Sequence, residues 1–336
     1  MIAAPAGDSP AAGARLPSRP MGSILLVTFP FFALVAAGYG AARRRWLPLE
    51  AIPGLNGFVL FFALPAMLYR FGASTPIAQL LDAAVAGVWL LCALLVVGLA
   101  VAVSLGGRIR WNDAAFGALV AAFPNSGFMG VPLIAALLGP QAVGTVIVVI
   151  VVDMVITSSL CIALSRLDAG EGGARAALKQ ALLGVLRNPM PWAIGLGALT
   201  SARGLTLPAP LDKTVALLAD AASPVALFTI GAVLARSQMQ ADHPMPWRDY
   251  VPLALMKLVL HPLLVLLLGA AAIQLGVPLQ PTALTVLVLT AALPSASNVS
   301  LLAERMGADN GRIARIILVS TALAFFSFSA AVAWLR

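Results

Sequence analysis

From residue 23 onward the chain alternates apolar runs with short segments that hold most of its charge. Helices of about 20 apolar residues match the thickness of a bilayer core. Such runs lie at about 23–42, 51–70, 82–105, 113–138, 140–164, 189–204, 211–235, 250–274, 281–303 and 312–335. Composition agrees, since the 336 residues are 61% hydrophobic and only 10% charged, against about 25% charged in a soluble domain. So few charges cannot cover a water-soluble globule of this size. A soluble enzyme, a nucleic-acid binder and a disordered chain are therefore excluded. The sequence predicts an all-α polytopic membrane protein with ten transmembrane helices.

The charged segments give the expected orientation, because cytoplasmic loops concentrate Lys and Arg. With the amino terminus outside, Arg43, Arg44, Arg45, Arg108, Arg110, Arg166, Arg175, Lys179, Arg187, Arg236, Arg248, Arg305, Arg312 and Arg315 fall inside. Arg15, Arg19, Arg70, Arg203, Lys213 and Arg336 fall outside. This asymmetry explains a net charge of +8 that in a soluble chain would suggest nucleic acid. It places both termini on the outer side of the cytoplasmic membrane. Residues 1–22 are rich in Pro, Ala and Gly and lack the apolar core of a signal peptide. They are expected to form a disordered tail, or to precede a true start at Met21. Cys92 and Cys161 lie within apolar runs and are expected to act as small hydrophobes, with no disulfide framework or metal cluster.

The longest polar stretch, 166–188, divides the runs into two sets of five, 23–165 and 189–336. Five spans per half give the halves opposite polarity, and an inverted repeat should leave sequence traces. Pro65-Ala-Met-Leu-Tyr-Arg-Phe-Gly-Ala73 aligns with Pro224-Val-Ala-Leu-Phe-Thr-Ile-Gly-Ala232 without a gap. Val120-Ala-Ala-Phe-Pro124 aligns with Thr290-Ala-Ala-Leu-Pro294, and Gly38-Tyr-Gly40 with Gly195-Leu-Gly197. Three matches in the same order point to two inverted repeats of five spans.

Two runs carry breaks. The fourth contains Phe123-Pro124-Asn125-Ser126-Gly127-Phe128-Met129-Gly130-Val131-Pro132-Leu133, and the ninth Leu293-Pro294-Ser295-Ala296-Ser297-Asn298-Val299-Ser300. Proline removes a helical N–H and crowds the preceding turn, so neither run forms an unbroken helix. In hydrocarbon, open backbone is tolerated only where protein or a water-filled cavity satisfies it. Broken helices that cross near the midplane would present half-helix ends to a ligand, with N–H groups for an anion and C=O groups for a cation. The bland alternative is a pair of kinks whose Asn and Ser side chains bond back to their own helices.

The first break resembles the Pro-Asn, Met-Gly and Pro-Leu signature of the auxin efflux carrier family, and residues 292–309 look like that family's second crossover in bacterial members. The resemblance spans residues 21–336. It implies a ten-helix inverted-repeat fold similar to that of the bile-acid symporters. In that fold spans 1, 2, 6 and 7 form a scaffold domain, and spans 3, 4, 5, 8, 9 and 10 a transport domain. It implies carriage of a small organic anion by alternating access; bacterial relatives include proposed malonate and malate carriers. The family's substrate contacts would fall on Asn125 and Asn298 and their neighbours Ser126, Gly127, Ser295 and Ser297. Pro124 and Pro294 would shape the crossover, while Pro65 and Pro224 would bend the scaffold helices that wall the site. A homodimer joined through the scaffold domain is the expected assembly, with lipid as the other partner. The long hydrophilic loop of many plant members is absent from this sequence.

Ionisable groups inside a membrane are costly and mark function. Asp153 lies mid-way along the fifth run, and Lys257 about two turns into the eighth, with His261 on the same helix face. Asp153 and Lys257 are expected to pair, with Lys257 standing in for a bound cation or exchanging a proton. Snorkelling of Lys257 to the cytoplasmic surface is the alternative. Arg70, Asp82, Asp113 and Asp220 are expected at interfaces. No cofactor, metal or nucleotide-hydrolysing loop is expected, and no enzymatic activity. The competing classes are a sodium-coupled symporter of the same fold and a non-transporting receptor or channel. A channel needs a continuous polar path, whereas the polar residues here concentrate in the two breaks.

Overall fold

The computed structural model describes residues 21–105, 109–167, 173–239 and 245–335; the expectations for residues 1–20, Arg108 and Arg336 lie outside them. The described chain is helical, with one isolated antiparallel bridge and no strand. In order the main helices are α1 (Met21–Arg43), α2 (Leu49–Ser74), α3 (Ile77–Leu105), α4 (Trp111–Ala122), α5 (Ser126–Leu138), α6 (Pro140–Leu164) and α7 (Gly173–Arg187). They continue with α8 (Pro189–Arg203), α9 (Ala209–Met239), α10 (Val251–Gln274), α11 (Pro281–Ala291), α12 (Asn298–Arg305) and α13 (Asn310–Trp334).

Seven of these, α1, α2, α3, α6, α9, α10 and α13, are long and apolar enough to cross a membrane. The three remaining apolar runs fall short of that length. The run at 113–138 is split into α4 and α5, that at 281–303 into α11 and α12, and that at 189–204 is the 15-residue α8. Side-chain caps satisfy helix starts: Asp82 Oδ1 accepts Val85 N–H (3.0 Å) where the Ala83–Leu105 part of α3 begins, and Asn188 Oδ1 accepts Met190 N–H (3.0 Å) at the start of α8. Asp309 Oδ1 likewise accepts Arg312 N–H (3.0 Å). Each satisfies a first-turn donor that the helix itself cannot.

The broken helices lie in the centre. Every residue of α4 from Asp113 to Ala122 is buried, as is the end of α11 from Val286 to Ala291. Long helices surround them, and α3 exposes Leu91, Leu94, Leu95, Leu99 and Val103. A continuous apolar face of that length is untenable in water and suited to lipid. Cys92 and Cys161 are buried free thiols.

Small residues let two helix pairs approach closely. α1 packs on α9, and α2 on α8 and α9. A Cβ added at Gly231 on α9 would overlap the carbonyl oxygen of Val35 on α1, and one at Gly38 the carbonyl oxygen of Phe228. On the other pair, a Cβ at Gly72 of α2 would stand 3.0 Å from Ile194 O, and one at Gly197 of α8 would overlap Tyr69 O. These contacts keep the spacing of the Pro65 and Pro224 alignment: Gly72 corresponds to Gly231, Tyr69 to Phe228, and Gly38 to Gly197. The sequence alignment had matched Gly38 with Gly195, two residues away. Hydrogen bonds join the same pairs, from Tyr39 to Gln238 and between Tyr69 and Thr200 (3.2 Å).

Two charges expected at the surface are buried. Arg312, 3% exposed, donates to Asp249 O (2.7 Å), Asp113 O (2.8 Å) and Ser104 Oγ (3.1 Å). Asp113, 8% exposed, accepts Asp309 N–H at 2.7 Å. Burial is tolerated because these partners replace water. Arg70 and Asp220 remain exposed and form a 3.4 Å ion pair. Gly231→Ala is expected to cost about 1–3 kcal/mol through overpacking. Thermal unfolding in detergent should show a lowered midpoint, whereas Gly40→Ala, where a Cβ meets open space, should not move it.

Candidate functional site

The two breaks meet. Pro124 and Ser295 form the isolated antiparallel bridge. Asn125 N–H donates to Pro294 O at 2.8 Å, and Ala296 N–H donates to Phe123 O at 3.0 Å. Each break thus satisfies backbone groups that the other exposes. The prolines cause the opening, because neither Pro124 nor Pro294 can donate to the preceding turn. Helices α5 and α12 both begin at this junction, so the positive ends of their dipoles lie there.

Asn125, Ser126, Gly127 and Asn298 line one small space at the junction, together with Leu64, Met154 and Met190. Ser126 Oγ lies 3.5 Å from Pro124 O, a weak bond back to its own segment. Ser297 instead lines a separate narrow space against Asn56 and Thr229. Ser295 lies in the bridge itself; its N–H donates to Ser320 Oγ (3.2 Å), while its own buried hydroxyl has no partner. The expected binding residues are therefore split between two faces of the crossing. Pro65 follows a π-helical turn, Val59–Ala63, and adjoins Leu64, whose Cδ2 lies 3.6 Å from a Cβ placed on Gly127. Pro224 sits within the continuous α9, two residues before Ala226 on the wall of the space lined by Ser297.

A second polar cluster lies in the buried interior between α3, α6, α10 and α11. Asp153, Lys257 and His261 are each fully buried. Snorkelling of Lys257 is therefore overturned: its Nζ donates to Ala291 O at 2.5 Å and lies 3.2 Å from His261 Nδ1. Asp153 and Lys257 form no ion pair, a correction to the expected pairing. Asp153 Oδ1 instead accepts Trp89 Nε1–H and Thr157 Oγ–H, both at 3.0 Å. The Trp89 ring, which bonds to Asp153, lies 5.0 Å from that of His261. Asp153 Oδ2 and His261 Nε2 are buried without hydrogen-bond partners.

Backbone irregularity places this cluster. Asp153 opens a π-helical turn, Asp153–Thr157, and Ser158 Oγ bonds to its carbonyl oxygen at 2.9 Å. Lys257 lies in another, Met256–Leu260, just before His261-Pro262, where the proline withholds an N–H. Such turns recur at functional sites. Trp89 escaped the sequence reading, although a buried indole N–H requires an acceptor.

A cavity of about 450 Å³ adjoins the junction and shares Phe123, Met154 and Asn298 with it. Ser159 and Arg305 also line it. The sequence treated Arg305 only as a loop charge and passed over Ser159. Asn188 caps α8 and lines the same cavity.

Comparison with known proteins fits this geometry. A family model described as "Membrane transport protein" matches residues 24–332. A Rhizobium meliloti (strain 1021) protein named "Putative malonate transporter" is 30% identical over 315 residues, covering 90% of this chain and 93% of that protein. An Escherichia coli (strain K12) protein named "Uncharacterized transporter YfdV" is 28% identical over 284 residues, covering 82% of this chain and 86% of its own. The resemblance read from the two breaks is thereby borne out at the level of the family. For the buried cluster, Trp89→Phe removes one donor from an otherwise enclosed carboxylate. It is expected to cost about 1–3 kcal/mol, read as a lowered thermal midpoint in detergent, while Trp46→Phe at an exposed position leaves it unchanged.

Proposed function

We propose, for a chain that belongs to the membrane transport protein family, that it is a secondary carrier or uniporter of small organic anions working by alternating access. The observation that carries this reading is the reciprocal pairing of the two breaks, with Asn125 N–H on Pro294 O and Ala296 N–H on Phe123 O. Paired half-helix ends beside Asn125, Ser126 and Asn298 offer an anion several donors without a fixed cation. Mono- and dicarboxylates are the substrate class, in keeping with the relative named for malonate.

In this reading the chain spans the membrane ten times as two inverted repeats, with both termini outside. Support comes from the equivalent glycine contacts, Gly231 against α1 and Gly72 against α8, at matched positions of the two halves. The close packing among α1, α2, α8 and α9 supports a rigid scaffold, against which the remaining helices move as a body. The exposed faces of that group are the surface through which a homodimer would form.

The buried cluster makes protons the coupling ion of this reading in preference to sodium. Lys257 Nζ already occupies the carbonyl end of α11 at Ala291, where a cation ligand set would otherwise form. The unpartnered Asp153 Oδ2 and His261 Nε2 leave room for a proton to be gained or lost beside it.

The test is uptake of a panel of mono- and dicarboxylates into proteoliposomes, with and without pH and sodium gradients. Saturable flux of at least one anion is expected, and its absence for all of them would end the carrier reading. Asn125→Ala and Asn298→Ala should each raise the dissociation constant at least about tenfold, near 1.4 kcal/mol, in protein that still folds. Lys257→Gln should flatten the pH dependence of uptake while leaving anion binding in place; an unaltered pH profile would exclude Lys257 from coupling.

A further inference from the structure

The cavity beside the junction has a charge pattern of its own. Among the described residues that line it, Arg305 is the one charged side chain, and none is a carboxylate. An apolar-walled cavity with a single cation and no acid favours an anion and repels a cation. Arg305 is exposed and lines this space, and no hydrogen bond or ion pair joins it to another described residue.

A second, independent feature points the same way. Ser159 on α6 is 4% exposed and lines this cavity, yet its Oγ has no hydrogen-bond partner. A buried hydroxyl left unsatisfied calls for an explanation, and an oxygen of a bound ligand supplies one. Asn188 spends its Oδ1 on the cap of α8, which leaves its amide N–H₂ as a further donor on the same lining.

The cavity and the junction are neighbours that share Phe123, Met154 and Asn298 in their linings. Asn298 and Arg305 stand seven residues apart on α12, on one face and about 10 Å apart along its axis. Cα–Cβ bonds on a helix tilt toward its N-terminus, and both residues line the one cavity. An anion held at the junction therefore has a second donor set beyond it.

We propose that this cavity takes the second carboxylate of a short dicarboxylate whose first carboxylate sits at the junction, with Arg305 and Ser159 as the residues that select dicarboxylates over monocarboxylates. The proposal rests on the organic-anion reading above. The guanidinium fork suits it, because two parallel N–H groups match the two oxygens of one carboxylate. A monocarboxylate leaves that fork without its partner.

The test measures malonate and acetate binding to the purified full-length protein, for wild type, Arg305→Gln, Arg305→Lys and Ser159→Ala. Wild type is expected to prefer malonate at least tenfold. Arg305→Gln should reduce malonate affinity at least tenfold and acetate affinity less than threefold, collapsing the ratio. Arg305→Lys should restore part of it, since the charge returns without the fork, and Ser159→Ala should lower the ratio by a smaller factor. Equal affinity of wild type for the two anions, or a ratio that Arg305→Gln leaves unchanged, overturns the proposal. Failure of wild type to bind or carry any carboxylate would instead overturn the anion-carrier reading itself, so the two failures are distinguishable.

Discussion

Two backbone hydrogen bonds, Asn125 N–H to Pro294 O and Ala296 N–H to Phe123 O, carry the architecture of the centre. In an apolar environment each unsatisfied peptide group is costly, so an interrupted helix persists only where something replaces its lost partner. Here each interruption is the other's partner. Because that exchange closes locally, α4 and the end of α11 can be buried on all sides by the longer helices. The same exchange brings the starts of α5 and α12 together, and with them Asn125, Ser126 and Asn298.

Elsewhere in the interior, two buried charges enter where the regular helix yields. Asp153 and Lys257 both sit in π-helical turns, and Lys257 reaches the carbonyl end of a neighbouring helix. Arg312 is accommodated by two carbonyl oxygens and a serine hydroxyl drawn from other segments. The helices α1, α2, α8 and α9 show the contrasting solution. There glycines bring backbones into contact, as Gly38 and Gly231 do, and packing replaces polar bonding. A polar, irregular core beside a tightly packed pair of helix contacts is the physical basis on which relative motion of the two is proposed.

Much of this was legible in the chain. The prolines at 124 and 294 announced the breaks, since no helix supplies an N–H where proline stands. The Pro65 and Pro224 segments announced matched helices, and their glycines, Gly72 and Gly231, occupy matched contacts. Less legible were the partners. Ser126 and Ser297 are both expected as substrate contacts, yet the two line different spaces, because residues around a break face different sides. Asp153 and Lys257 looked like an ion pair, yet Asp153 bonds to Trp89 and Thr157, and Lys257 to Ala291 O. Arg312 counted as a loop charge because it lies at the start of its run, where sequence alone cannot tell interface from interior.

The sequence by itself determined that this chain lives in a membrane, where its helices break and which residues the breaks carry. Those properties depend on local chemistry: apolar run length, missing proline donors and the placement of a few polar side chains. Tertiary structure decided which break meets which, that Lys257 turns inward to Ala291, and that Ser159 and Arg305 share a cavity with Asn298. Those contacts join residues far apart in the chain, and they form because buried polar groups must find partners that no single helix can provide.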